Sequence, residues 1–398
     1  MKKLCIIGCG MGKESLLTKE ASERMISCDE IYAFDRISEL FQHVRHDIIR
    51  CSYAGLFELI DFSDAQTIGV LVSGDVGFFS IAKNLTVELG KKYEIETLCG
   101  ISSLQYFCAK IHVSYENVEI VSLHGRDNCI LGCLAYNRYT FVLTGGANNA
   151  ADILIGLAKA DLPDIRVTSG EMLSMQGERI RNGAIAEMSC YLYDSLTVLF
   201  FENPNPFQKE KPLFDKDLFR DKAPMTKQDV RWASTNYLKI NPEDTIYDIG
   251  AGTGSVSIEM ARKAYKGIVY AIEKNRDAYD LLERNKKQMG AFNVISILGN
   301  AKDEIINLPI PDKAFIGGSS GELPEIIEYL HNANPNILFV INAITLETLS
   351  SAMDVLKRLQ FEIQITCMNC AKNNIVGEYN LMMASNPVYI ITGEKNAD

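Results

Sequence analysis

The residues best placed to do chemistry are Asp248-Ile249-Gly250-Ala251-Gly252-Thr253-Gly254 and, 19 positions past the last glycine, Glu273. Three alternate glycines let a strand turn sharply into a helix while the backbone comes close to a ligand. The run lies between a strand-like stretch at 245–247 and a helical pattern at 255–263. A second apolar run, 267–272, ends at Glu273, where a carboxylate can accept both hydroxyls of a ribose. Two cofactor classes use this geometry, dinucleotides and S-adenosylmethionine. A glycine-rich loop by itself is only a tight turn; the carboxylate closing the next strand makes it a nucleoside site.

The form DxGxGxG, with a leading acidic residue, resembles the class I methyltransferases, which points to S-adenosylmethionine. That resemblance implies cofactor contacts from Asp248, Gly250, Ala251, Gly252, Thr253, Gly254 and Glu273, and from Asn300 and Ala301 where the adenine ring is met. Ahead of the loop stands Pro224-Met225-Thr226-Lys227-Gln228-Asp229-Val230-Arg231. Thr226 followed by Asp229 reads as a variant helix cap. The same residues resemble the PxTKxxVR entry of small corrin methyltransferases that methylate C-15 and decarboxylate, which implies that Thr226 reaches the cofactor. Arg231, on the helix that Thr226 opens, is expected to anchor a substrate carboxylate, because a guanidinium fork binds both oxygens. The loop 315–322 carries glycines and serines, including Ser319, and lacks the aromatic clamp that stacks a flipped base. Such a loop suits a bulky planar substrate.

A second constellation lies upstream. Gly8-Cys9-Gly10-Met11-Gly12 follows the first strand, and Ser73-Gly74-Asp75-Val76-Gly77-Phe78-Phe79-Ser80 ends the third. Cys99-Gly100-Ile101-Ser102-Ser103, His124-Gly125-Arg126 and Leu143-Thr144-Gly145 each follow a strand, where open α/β sheets collect ligands. With Glu178-Arg179-Ile180, these motifs resemble in order the tetrapyrrole (corrin) methylase family, with Val76 and Cys99 where the family usually has proline. The resemblance implies S-adenosylmethionine in a cleft between two lobes, touched by Gly8, Gly10, Gly74, Asp75, Ser102, Ser103 and Thr144. Asp75 alone also reads as a helix N-cap. His124 and Arg126 are expected to hold substrate carboxylates.

The elements that must position these residues alternate. Strand candidates at 4–7, 30–34, 68–73, 95–98, 118–123, 140–144, 165–168 and 196–201 are separated by helical patterns, and strands near 245, 268, 294, 314, 337, 361 and 388 follow. The fold class is α/β. The two resemblances imply a two-lobed tetrapyrrole methylase fold over 1–203, with lobes near 1–112 and 115–203, and a class I, Rossmann-like methyltransferase fold over 225–398. Between them, 204–224 opens Asn203-Pro204-Asn205-Pro206 and is rich in charge, the mark of a solvated linker. Residues 369–374 carry little positive charge, which argues against a substrate role for the C-terminus.

Composition excludes several classes. The net charge is −11, with 18 basic against 26 acidic residues before 204 and 22 against 25 after it. Neither half has the basic excess that phosphate neutralisation requires, so no nucleic-acid partner is expected. No run approaches the ~20 apolar residues of a membrane span, and a signal core is absent, so the cytoplasm is the expected compartment. Eleven cysteines, several within apolar runs, fit a reducing setting. Cys367-Met368-Asn369-Cys370 has CxxC spacing without a second ligand pair, and no metal site is expected.

The two resemblances, paired in this order in one chain, imply a bifunctional enzyme of cobalamin biosynthesis, methylating a precorrin or cobalt-precorrin at C-5 and at C-15 with loss of an acetate carboxyl. One S-adenosylmethionine site is expected per domain, giving S-adenosylhomocysteine, and self-association is expected from the relatives. The alternatives are an RNA or protein methyltransferase and a non-catalytic tetrapyrrole sensor. No catalytic side chain is singled out, because an in-line methyl transfer rests mainly on positioning.

Overall fold

The computed structural model describes residues 2–123, 129–160, 162, 164–221 and 223–395. Two compact units emerge. The first comprises 1–126, 139–159 and 165–202; the second comprises 127–138, 160–164 and 203–398.

The first lobe of the N-terminal unit is a parallel sheet of β1 (Lys3–Gly8), β2 (Glu30–Phe34), β3 (Ile49–Cys51), β4 (Thr67–Val72) and β5 (Glu94–Leu98), in the order β3-β2-β4-β1-β5. Leu4, Cys5, Ile6 and Ile7 are wholly buried, as a central parallel strand covered on both faces requires. Because β4, β1 and β5 are neighbours, the loops that follow them meet at one edge. The second lobe is a mixed sheet of β6 (Val118–Ser122), β7 (Tyr139–Leu143), β8 (Arg166–Glu171), β9 (Arg179–Ala184) and β10 (Thr197–Glu202), in the order β6-β7-β10-β8-β9, with only β6 and β7 parallel. The helix Ser103–Lys110 joins the lobes: Leu104 and Phe107 share a core with Phe141, Val198 and Phe200. Glu178 adds a polar tie, accepting the Tyr106 hydroxyl at 2.6 Å and pairing with Lys110 at 3.1 Å.

Strand β9 carries too much charge to read as a strand in sequence. Its Arg179 and Arg181 both clamp the buried carboxylate of Glu171 on β8, at 2.6 Å each, so the ladder is held by ion pairs from an exposed edge.

The C-terminal unit is a seven-stranded sheet of β11 (Thr245–Ile249), β12 (Ile268–Glu273), β13 (Val294–Leu298), β14 (Lys313–Ile316), β15 (Leu338–Ala343), β16 (Glu362–Met368) and β19 (Val388–Glu394). Its order is β13-β12-β11-β14-β15-β19-β16, parallel through β15 and antiparallel at β19. Apolar cores cover both faces. Between β16 and β19 the chain makes an unexpected hairpin, β17 (Ala371–Val376) and β18 (Tyr379–Ala384), whose residues are all exposed.

The segment read as a solvated linker is packed instead. Leu213 and Leu218 are buried in the C-terminal core. Phe207 lies over Gly290 and 6.2 Å from the ring of Phe292, and Arg262 donates to the carbonyls of Gln208 and Lys211. Most of its charges are exposed while a few widely spaced apolar residues anchor it, a pattern that prolines and a high charge count conceal. The helix Leu131–Tyr136 also belongs to this unit: Asn203 donates to the carbonyls of Leu134 and Ala135, and a Cβ on Gly132 would meet the Tyr265 carbonyl at 2.3 Å.

Candidate active sites

In the C-terminal unit, β11 and β12 are adjacent, so the glycine loop and Glu273 lie side by side. Gly250 has φ +73°, and a Cβ there would meet the Gly318 carbonyl at 2.5 Å, so only glycine fits between the loops after β11 and β14. The amides of Gly250 and Ala251 both donate to the Ile272 carbonyl, at 3.0 and 3.1 Å, and Gly252 donates to Glu273 Oε2 at 2.7 Å. The other Glu273 oxygen accepts the Asn275 amide at 2.8 Å. The loop is therefore tied to the end of β12 before any ligand arrives. Each carboxylate oxygen keeps a second lone pair, and Glu273 faces a cavity of about 1680 Å³.

Asp248, Gly250, Ala251 and Gly252 line that cavity on one side, with Thr226 opposite. Asn300 and Ala301, after β13, line it beside Glu273, and the Asn300 carboxamide makes no hydrogen bond among the described residues. Ser319 lines it from the loop after β14, whose Gly317 and Gly318 amides are spent on the Ile249 carbonyl. A glycine cradle, a ribose-type acceptor and an unpaired carboxamide in this order fit an adenosyl cofactor.

Three expectations are corrected. Thr253 and Gly254 stand behind the loop: the Thr253 side chain is buried away from the cavity, its carbonyl accepts Asn285 Nδ2 at 2.9 Å, and Gly254 packs on Leu282. Arg231 is fully buried. Its fork donates to the carbonyls of Leu213 (2.7 Å) and Thr226 (2.9 Å) and to Asp215 (3.1 Å), with Glu259 at 3.8 Å. A guanidinium so occupied cannot hold a substrate; it staples the 203–224 strap to the helix Gln228–Tyr237. The C-terminal hairpin, in contrast, does face the cavity. Lys372, Asn373, Asn374 and Met383 form one wall, and Lys372 pairs with Asp229 at 2.7 Å. The only signal for it was Gly377 set between two short stretches of strand length.

Asp248 is completely buried. Oδ2 accepts the Ser257 hydroxyl, while Oδ1 has no partner among the described residues. Burial raises its pKa to about 7, the Ser257 hydrogen bond opposes this, and the charge of Glu273 adds to it.

In the N-terminal unit the loops after β1, β4 and β5 converge. Gly10 and Gly74 exchange two backbone hydrogen bonds of 3.1 and 2.7 Å, and a Cβ on Gly100 would meet the Gly74 carbonyl at 2.2 Å and the Gly8 carbonyl at 2.7 Å. Asp75 links them, accepting Gly77 N–H at 2.9 Å and Gly100 N–H at 3.1 Å. Two of the expected contact side chains are already engaged. Ser102 caps the helix Ser103–Lys110 in a reciprocal box with Gln105, and the Thr144 hydroxyl donates to the Thr197 carbonyl at 2.6 Å. Ser103, partly exposed at the helix start, remains open to a ligand. His124 and Arg126 lie outside the described residues.

Among the described residues no helix is long and apolar enough to cross a membrane. Residues 217–395 match the family described as precorrin methyltransferase domain, and residues 3–189 match the tetrapyrrole (corrin/porphyrin) methylases. A probable cobalt-precorrin-6B C(15)-methyltransferase (decarboxylating) of Pyrobaculum calidifontis is 36% identical over 172 residues, 43% of this chain and 88% of that protein. Among solved structures, a precorrin-6Y C5,15-methyltransferase from Geobacter metallireducens is similar at 35% identity and a TM-score of 0.44, covering 46% of this chain and 97% of its own. A cobalamin biosynthesis precorrin-6Y methylase from Archaeoglobus fulgidus is similar at 25% identity and a TM-score of 0.41, covering 51% and 99%.

Proposed function

The chain belongs to the tetrapyrrole methylases through its N-terminal half and to the precorrin methyltransferases through its C-terminal half, and from that premise we propose a bifunctional, S-adenosylmethionine-dependent enzyme of cobalamin biosynthesis. The N-terminal unit methylates a precorrin at C-5. The C-terminal unit methylates C-15 and releases the carboxyl of an acetate side chain as carbon dioxide. Each unit holds one cofactor, and the substrate is the metal-free or the cobalt-containing macrocycle.

The single observation that carries this reading is the volume of the C-terminal cavity. At about 1680 Å³ it exceeds the ~300–1,000 Å³ of an ordinary small-molecule site. A cofactor against the glycine loop leaves room beside the hairpin wall for a second, large molecule. Arg220, Lys227, Lys274, Arg284 and Lys372 stand among the carboxylates that line the cavity and offer individual cations to a polycarboxylate.

S-adenosylmethionine supplies an electrophilic sulfonium methyl when bound. The protein's part is positional. Glu273 accepts from the ribose, the loop after β14 limits the approach of the macrocycle, and the hairpin bounds the space on one side. Holding carbon and methyl in line is the main source of rate. The macrocycle itself takes up the electron pair left by decarboxylation, so no protein electron sink is required.

Self-association and operation in the cytoplasm belong to the same reading. The hairpin exposes Ile375, Tyr379, Met382 and Met383, and a two-stranded ribbon is marginal without a cover. Light scattering of the purified chain tests this; a monomer at micromolar concentration counts against it. For the reaction, the chain is incubated with cofactor and each form of the precorrin, and product mass is measured. Two methyls gained and one carbon dioxide lost is the expected change, and an unchanged mass with both forms rejects the proposal.

A further inference from the structure

The N-terminal unit holds a recess separate from the meeting point of the loops after β1 and β5. It encloses about 370 Å³ at the carboxyl ends of β2 and β4, between Phe34, Arg36 and Ile37 on one side and Ser73, Phe79 and Ile81 on the other. Arg36 is the only charged residue among those that line it. It is half-buried, and among the described residues it has no hydrogen-bond or ion-pair partner. The carboxylate of Asp194 acts on it only from beyond ion-pair distance, and burial pushes its pKa down. A partly desolvated cation without a counter-ion is costly unless an anion completes it.

Phe79 is the second unusual residue. Its φ is +47°, a region that a bulky side chain rarely adopts, and its ring is half exposed while packing edge-on to Phe78 at 5.2 Å. The ring so held adds an aromatic surface to the recess. An apolar, aromatic pocket with one unpaired guanidinium suits a flat apolar body that carries a carboxylate.

We propose that this recess holds the rim of the tetrapyrrole in the N-terminal unit, with Arg36 pairing one substrate carboxylate and Phe79 packing on the ring system; this rests on the C-5 methylation reading. Sheet order separates the recess from the cofactor loops. In β2-β4-β1-β5, Arg36 follows β2, on one side of β4, whereas Gly10 and Gly100 follow β1 and β5 on the other. The two regions adjoin at the end of β4, where Val72 lines the recess and its carbonyl accepts the Cys9 N–H at 2.9 Å, so a substrate carboxylate in the recess would lie beside the cofactor loops without taking their contacts.

The full-length chain is tested with Arg36→Ala and Arg36→Lys, using methyl-13C-labelled cofactor so that nuclear magnetic resonance separates methyls at C-5 and C-15. Arg36→Ala is expected to raise the precorrin KM of the C-5 step at least tenfold, with kcat within about twofold and C-15 methylation unchanged. Arg36→Lys should recover most of the loss, and calorimetry should find the same affinity for S-adenosylhomocysteine in all three proteins. If Arg36→Ala does not fold, Arg36→Gln, which keeps the stem and removes the charge, is read in the same way. A C-5 KM within twofold of wild type overturns the inference, as does a loss of S-adenosylhomocysteine binding, which would assign Arg36 to the cofactor. A wild-type chain that methylates C-15 alone rejects the C-5 reading and this inference with it, a pattern distinct from either of those.

Discussion

Glu273 accepts the backbone N–H of Gly252 at 2.7 Å, so the residue that closes β12 also holds the glycine loop that follows β11. One carboxylate thus sets the shape of the cradle and offers lone pairs to whatever sits in it. The pairing is possible because β11 and β12 are hydrogen-bonded neighbours in register, with Ile249 opposite Ile272.

Replacing Glu273 by alanine removes both roles. Loss of charge-assisted hydrogen bonds to a ribose should weaken cofactor binding in the C-terminal unit by roughly 2–4 kcal/mol. Calorimetry on the full chain should then show one weakened site and one unaltered site. Two unaltered dissociation constants would remove Glu273 from the cofactor's contacts.

Arg231→Ala should lower stability rather than substrate affinity. It leaves two carbonyls unpaired and Asp215 without its cation, a loss on the order of 3 kcal/mol. Urea unfolding followed by Trp232 fluorescence on the same helix should shift to lower denaturant. A raised substrate KM at unchanged stability would instead return Arg231 to the substrate.

Asp248 links stability to pH. Its folded pKa, about 7, lies above the ordinary carboxylate value of 3.8, so between these pH values the folded state binds more protons than the unfolded state. Stability contributed by this group therefore falls as pH rises from about 4 to about 7, by at most ~1.4 kcal/mol per pH unit, and is flat above that. Asp248→Asn keeps an acceptor for Ser257 and removes the titration. Relative to wild type, the variant should gain stability as pH is raised from 4.5 to 7.5; a constant difference between the two would show that Asp248 does not titrate in this range.

Lys372→Ala opens the hairpin wall by breaking the pair with Asp229. The side chain is half exposed, so the expected effect is modest: a threefold to tenfold rise in precorrin KM for the C-15 step, about 0.6–1.4 kcal/mol, that shrinks with added salt. Cofactor affinity should stay as in wild type. A KM that is unchanged at low salt would confine Lys372 to an ion pair with no substrate role.

The parts of this protein that were legible in sequence are those governed by local rules. A glycine-rich turn between two elements, a carboxylate at a strand end and apolar runs of strand length are each dictated within a few residues, and these located the glycine loops and most of the parallel strands in both halves, though not the three-residue β3. Strand β9 escaped because an edge strand with two arginines and a single large apolar residue gives no apolar run, and its reason to pair is Glu171, which only the sheet brings opposite Arg179. The strap escaped because Phe207, Leu213 and Leu218 are too widely spaced to signal burial until the C-terminal core is present to receive them. Arg231 shows the same limit from the other side. Residue type and position made it a plausible carboxylate anchor, but whether an arginine faces a ligand or two backbone carbonyls and an aspartate of its own chain depends on what the rest of the chain lays across it. Periodicity and turn chemistry are properties of neighbours in sequence, whereas burial and the choice of counter-ion are properties of neighbours in space.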